Sequence, residues 1–200
     1  KGPGGHSWSA FGLANPHHAL GEAISNFVKV ADEYTSEGRK TSYNVGMISG
    51  GTSINSIPFE SVMQIDIRSL DPKRLDAMEA LLQTAVQKAL VQQNNTKRQG
   101  PDLSVEIDKI GNRPSGELSD QLPLVQQTLA ATIAFGIKPY LTRGSTNSNI
   151  PIAKGIPAVT IGRGGDGGKA HSLDEWWINR EGYKAIQLAL LILLLEAEIK

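Results

Sequence analysis

Two of the four histidines in this chain stand where an imidazole could act on a ligand. His6 ends the run Gly2-Pro3-Gly4-Gly5-His6-Ser7. Glycines let the backbone take positive φ and approach a ligand closely, and an imidazole on such a turn can donate a hydrogen bond to a developing oxyanion. The hexapeptide alone also fits a turn histidine in solvent. His171 follows the glycine-rich stretch 162–168, which leaves the apolar run Ile156 to Ile161. Loops at the carboxyl ends of strands are where open α/β sheets place ligands, and a neutral imidazole there suits zinc. A structural or exposed histidine is the alternative. His17 and His18 are adjacent at a helix start, so they point in different directions and read as ordinary helix N-terminal residues. The chain has no His-Glu-x-x-His pattern, and local spacing cannot build a zinc site.

Polar groups of a second kind surround the segment Gly50 to Pro58. Asn55 offers both a donor and an acceptor, and Arg68, thirteen residues on, offers a planar fork for a carboxylate. A turn-forming asparagine and a strand arginine paired with Asp66 are the plainer readings. Two nucleotide motifs fail. Gly162 to Gly167 matches G-x-G-x-x-G, but His171 to Trp177 does not read as the helix that must follow. A phosphate-binding loop ending at Gly168-Lys169 would need glycine at Arg163 and Ser or Thr at Ala170. There is no Gly-x-Ser-x-Gly elbow.

These residues need elements to hold them. Asn15-Pro16 starts a helix, an N-cap followed by proline at the first helical position, expected to reach about Ala31. Tyr43, Val45 and Met47 alternate with polar or small residues as in a half-buried strand, and Met63, Ile65 and Ile67 do so more clearly. Asp71-Pro72 opens a second helix with Leu75, Met78, Leu82 and Val86 as one apolar stripe. Gln92 to Asp102 reads as a loop, and Leu103, Val105 and Ile107 as a last strand. The order helix, strand, strand, helix, strand is a ferredoxin-like unit lacking its first strand, which is expected just upstream of Lys1. The linker Asn112 to Glu117 then divides residues 1–111 from 112–200. Beyond it come a helix from Pro123 to Phe135, strands at Lys138 to Leu141 and Ile156 to Ile161, and a final helix capped by Asn179.

Composition narrows the classes. Twenty basic and twenty acidic residues balance, so no global field points to nucleic acid or an anionic membrane. With 40% apolar residues the chain can bury a sizeable core. The most apolar run, Leu188 to Leu195, falls far short of the ~20 residues that span a bilayer. The absence of cysteine excludes a disulfide framework and fits a reducing compartment, which weakly favours the cytoplasm.

Taken in order, Gly-Pro-Gly-Gly-His6-Ser7, Ser53-Ile54-Asn55-Ser56-Ile57-Pro58, Asp66-Ile67-Arg68, Gly144-Ser145-Thr146-Asn147, Gly155 to Gly162 and His171-Ser172-Leu173-Asp174-Glu175 resemble the M20 family of metallopeptidases and amidohydrolases. The resemblance covers nearly the whole chain. It implies an α+β ferredoxin-like lid that forms homodimers, followed by an α/β segment of a zinc-peptidase-like catalytic domain. It implies that His6 reaches into the partner's active site to polarise the scissile carbonyl, and that Asn55 and Arg68 hold the substrate's carboxylate or amide oxygen. Gly144 and Ser145 would contact substrate through the backbone, and His171 would bind one of two zinc ions. Asn147 stands where family members often carry Asp.

In that family the other metal ligands and the general base lie upstream of the lid. The expectation is therefore a carboxyl-terminal part of a two-zinc hydrolase, inactive without the missing N-terminal catalytic segment. The intact protein would cleave the amide bond of a small peptide or N-acyl amino acid beside a free carboxylate. The alternative is a non-catalytic homodimerisation module that reuses the lid.

Overall fold

The computed structural model describes residues 1–198, and the chain divides into two compact units on either side of the Asn112/Arg113 boundary. In the first unit, β1 (Gly5–His6) precedes α1 (Pro16–Thr35), β2 (Thr41–Gly50), β3 (Ser56–Ile57), β4 (Ser61–Ser69) and α2 (Pro72–Thr96). Both long helices begin as their sequences dictate. Asn15 Oδ1 accepts from the His17 N–H at 2.9 Å and Asp71 Oδ1 from the Lys73 N–H at 2.9 Å, each followed by a proline that needs no donor.

β2 and β4 form an antiparallel hairpin from Thr41↔Ser69 to Gly50↔Ser61, and α1 and α2 pack together over one of its faces. Their shared core is Phe27, Ala31, Met78 and Ala85, with Tyr43, Ile65, Ile67 and Leu82 against it; a second cluster joins Ala23, Val86 and Ala89 to Met63. Burying a side chain such as Phe27 contributes about 1.5–3 kcal/mol. Arg74 ties three elements together: Nε donates to Thr41 Oγ1 at 2.8 Å, Nη2 donates to the Tyr34 carbonyl at 2.6 Å, and the guanidinium lies over the Tyr34 ring.

The structure corrects several expectations here. Met47 does not continue the inward row of Tyr43 and Val45. A bulge between Val45 and Met47 inserts Gly46, which reverses the parity, and Met47 stands 61% exposed opposite Gln64. α1 runs on to Thr35 and α2 to Thr96, so the polar residues from Gln92 to Thr96 are helical; Gln92, Asn95 and Thr96 are exposed, while Gln93 donates to Glu22 Oε1 at 3.0 Å and Asn94 turns to Leu103. Leu103 to Ile107 is not a strand. Of it, Ser104 alone exchanges backbone hydrogen bonds, with Lys1 (2.8 and 3.0 Å), while Leu103 is buried and its backbone is clamped by the Asn94 side chain.

The second unit holds α3 (Pro123–Ala134), α4 (Asn149–Ala153), β5 (Asp166–Gly168), β6 (Trp176–Ile178) and α5 (Tyr183–Glu196). α3 ends at Ala134, one residue short of the expected Phe135, and Gly136 just beyond it takes φ 73°. It packs on α5 through Ala131, Leu188 and Ile192. Neither Lys138–Leu141 nor Ile156–Ile161 forms a strand. Both segments lack a backbone ladder among the described residues, and Tyr140 and Ile156 are exposed. α5 starts at Tyr183 because Asn179 uses its Oδ1 to accept from the Gly182 N–H at 3.2 Å, organising the turn before the helix. No described helix is long and apolar enough to cross a membrane.

Candidate functional site

His6 is held by an antiparallel ladder that pairs Gly5 with Ile57 and His6 with Ser56. One further bond, from the Ser7 N–H to the Asn55 carbonyl at 2.8 Å, extends it. Residues 49 positions apart in sequence thereby become neighbours. The Trp8 N–H donates to His6 Nδ1 at 3.2 Å. Nδ1 is thus the acceptor, and in the neutral ring the proton sits on Nε2. His6 is exposed, so Nε2–H is a donor ready for an incoming oxygen.

Asn55 is set by its own loop. Its Oδ1 accepts from Ser53 Oγ at 2.8 Å, and Ser53 Oγ also meets Ser56 Oγ at 2.8 Å. With Oδ1 occupied, Nδ2 is the group Asn55 offers to a ligand. These two serines lock Asn55, a role the sequence pattern did not single out.

Arg68 lies elsewhere. It pairs with Ser42 near the open end of the hairpin, seven residues along β4 from Ser61, which is about 23 Å at strand rise. His6 and Asn55 belong to the other end, where Gly2 donates to the Phe59 carbonyl at 2.7 Å and His17 Nδ1 meets Ser61 Oγ at 2.7 Å. The structure therefore joins His6 to Asn55 and separates both from Arg68. Arg68 Nε donates to Asp66 Oδ2 at 2.6 Å, and both side chains are more than half exposed. An exposed pair of this kind contributes about 0–1 kcal/mol, so a carboxylate ligand could displace Asp66 at small cost.

The remaining candidates lie in the second unit. Gly144 and Ser145 precede α4; Arg113 Nη1 donates to Ser145 Oγ at 3.3 Å, and a cβ added at Gly144 would meet open space. The loop is pinned to the segment 156–161 by Thr160 Oγ1, which lies 2.9 Å from Thr146 Oγ1 and 2.7 Å from Ser148 Oγ. His171 sits in the loop of the β5–β6 hairpin. Its φ of 65° is unusual for a side-chain-bearing residue, and its N–H donates to Glu175 Oε2 at 3.0 Å. The nearby Asp174 carboxylate is engaged by Lys169 Nζ at 3.1 Å. Among the described residues no three His, Asp or Glu side chains are grouped to hold a metal ion. His171 can be one ligand of zinc, but the described residues do not complete a centre.

Residues 1–94 match the model of the M20_dimer family, the peptidase dimerisation domain. Solved structures extend the likeness. The chain is similar to a tripeptidase from Staphylococcus aureus subsp. aureus Mu50 (TM-score 0.68, 18% identity, 96% of this chain and 48% of that one). It is similar to the aminopeptidase PepT from Bacillus cereus ATCC 10987 (TM-score 0.64, 20% identity, 96% and 48%) and to AtUAH in complex with glyoxylate (TM-score 0.71, 18% identity, 96% and 44%). At these identities the likeness establishes the fold, and the chain spans just under half the length of each of those structures. No curated protein matches the sequence.

Proposed function

We propose that this chain supplies the lid and a carboxyl-terminal catalytic segment of a two-zinc hydrolase that cleaves an amide bond beside a free carboxylate. The observation that carries the reading is the pairing of His6 with the loop of Asn55 at one end of the unit and the placing of Arg68 about 23 Å along β4 from Ser61. A dipeptide spans only about 7 Å, so one chain cannot bring all three residues to one substrate. Two copies can. In a homodimer built through the lid, His6 and Asn55 of one protomer meet Arg68 of its partner at a shared site.

In that site His6 donates Nε2–H to the oxyanion that forms as the amide carbon becomes tetrahedral, while Asn55 Nδ2 donates to a substrate oxygen. Arg68 leaves Asp66 and binds the free carboxylate as a planar fork. Gly144 and Ser145 contact the substrate through backbone groups, and His171 is one zinc ligand. The other ligands and the general base would come from residues other than those described. A further strand between β4 and the segment 103–109 would complete the ferredoxin-like sheet. The exchange between Lys1 and Ser104, with Gly2 bonded to Phe59 on the other side, supports a strand antiparallel to both.

The test is hydrolysis of dipeptides and N-acyl amino acids by the zinc-loaded protein that contains this sequence. Cleavage that disappears when the substrate carboxylate is amidated is expected. A stable dimer that cleaves neither class would replace the hydrolase reading with a non-catalytic dimerisation module.

A further inference from the structure

Within strands β2 and β4, Asp66 and Arg68 are the only charged side chains. They share an exposed face with Ser42 and Asn44, because the register sets Arg68 opposite Ser42 and Asp66 opposite Asn44. Arg68 Nε donates to Asp66 Oδ2 at 2.6 Å, so a carboxylate of the chain itself already sits on one edge of the planar fork. Asn44 is the odd member of the group. Asparagine is a poor strand former, and the Asn44 side chain makes no hydrogen bond among the described residues.

We propose that Asp66 is an internal competitor for the Arg68 fork, and that Asn44 receives its carboxylate when the carboxylate of a substrate takes its place. Both act as positioning residues that set how tightly the fork holds an anion. The proposal rests on the reading of Arg68 as the holder of the substrate carboxylate.

The register supplies the second position. Directly opposite residues on one face have Cβ atoms about 4.5–5.5 Å apart, a gap that an aspartate and an asparagine close with one hydrogen bond. The same-face neighbours of Asp66 on its own strand, Gln64 and Arg68, are about 7 Å along it. Asn44 is therefore the nearest donor once the fork is taken. Its amide also has room to turn, because the hairpin bulges at Gly46, where a Cβ would lie 3.3 Å from Asn44 Nδ2. As a neutral donor, Asn44 holds the released carboxylate without competing with Arg68 for the charge of the ligand.

The consequence is a threshold. Where only a fraction of the protein is competent to bind, apparent affinity falls by that fraction. Asp66 in the fork lowers the fraction for every anion alike, and Asn44 raises it by stabilising the released carboxylate. Small free anions are kept out, whereas a substrate held at further points of the site overcomes the competitor.

The experiment is a double-mutant cycle on the intact hydrolase, with an N-acyl amino acid as substrate and N-acetylglycine as a competing carboxylate. Asp66→Ala is expected to lower KM and the inhibition constant of N-acetylglycine by up to about fivefold, the strength of an exposed ion pair. Asn44→Ala is expected to raise both by roughly two- to tenfold, the range of one net hydrogen bond, with kcat within about twofold of the parent. In the Asp66→Ala background Asn44→Ala should change neither, and Gln64→Ala should be silent throughout. A rise in KM on Asp66→Ala would mean that Asp66 orients the guanidinium for the substrate, and it would overturn the exchange. An Asn44→Ala effect of equal size in both backgrounds would overturn it too.

A second readout does not need turnover. With isotope-labelled asparagine, N-acetylglycine should shift the Asn44 side-chain amide signals in the nuclear magnetic resonance spectrum, and N-acetylglycinamide should not. Asp66→Ala should abolish the shift; persistence would place the ligand on Asn44 itself and overturn the exchange. Saturating Asn44 shifts in a protein that cleaves no amide would keep the exchange and remove the hydrolase reading. Cleavage by a protein whose Asn44 signals stay fixed would do the reverse.

Discussion

The separation of Arg68 from His6 makes a quantitative prediction about mixed dimers. Arg68 is seven strand residues from Ser61, about 23 Å, and a substrate of dipeptide size bridges about a third of that. On the proposed reading, each site takes His6 and Asn55 from one protomer and Arg68 from the other. His6→Ala homodimers and Arg68→Ala homodimers each lack one group at both sites, and both should be severely impaired. A heterodimer of the two variants contains one site missing both groups and one site missing neither. Purified through two different tags, it should regain about half the parent activity per dimer; an unsorted equimolar mixture, half of it heterodimer, should regain about one quarter. The assay is hydrolysis of a single amide substrate at saturation, with the dimer fraction fixed by sedimentation. An inactive heterodimer would refute the reasoning, because it would mean that all three residues act within one chain.

Further predictions follow from the lid core and its titrating groups. Phe27→Ala empties a fully buried position, 0% exposed, and breaks an edge-on contact with Tyr43 at 5.2 Å; urea unfolding should show a loss of about 3–5 kcal/mol, and a loss below about 1 kcal/mol would contradict the assigned core. The Tyr43 hydroxyl is pushed up to about 12 by burial first, then by its hydrogen bond to the Asp32 carboxylate and that group's charge. The folded chain keeps this proton where the unfolded chain, with an ordinary value of 10.0, releases it. Stability should therefore fall between pH 10 and pH 12, by on the order of 1 kcal/mol once solvent screening is allowed for, and Tyr43→Phe should flatten that window. Asn15→Ala removes the acceptor for the His17 N–H and should cost about 1 kcal/mol in the same unfolding assay.

Local chemistry made much of the lid legible from sequence. The Asn15-Pro16 and Asp71-Pro72 starts, the apolar stripe of α2 and the alternation of β4 each express a rule that acts over a few residues. What escaped depends on partners distant in sequence. The bulge at Gly46 reverses Met47 through the register with Gln64, and nothing within residues 43–47 announces it. Ile156 to Ile161 has the composition of a buried strand, but a strand exists only where a neighbour supplies the ladder, and no described segment does so. Of the site, the residue types were legible and the grouping was not. His6 meets Asn55 only because two-residue strands pair across the fold, and Arg68 departs from them because β4 carries it away.

The most direct test of the central claim is the kinetic effect of His6→Ala in the zinc-loaded hydrolase that contains this sequence. If Nε2–H stabilises the oxyanion, kcat should fall by roughly 10²- to 10³-fold, while KM stays within a few-fold and the bound zinc is unchanged. A variant that retains its kcat would contradict the assignment of His6 and the function built on it.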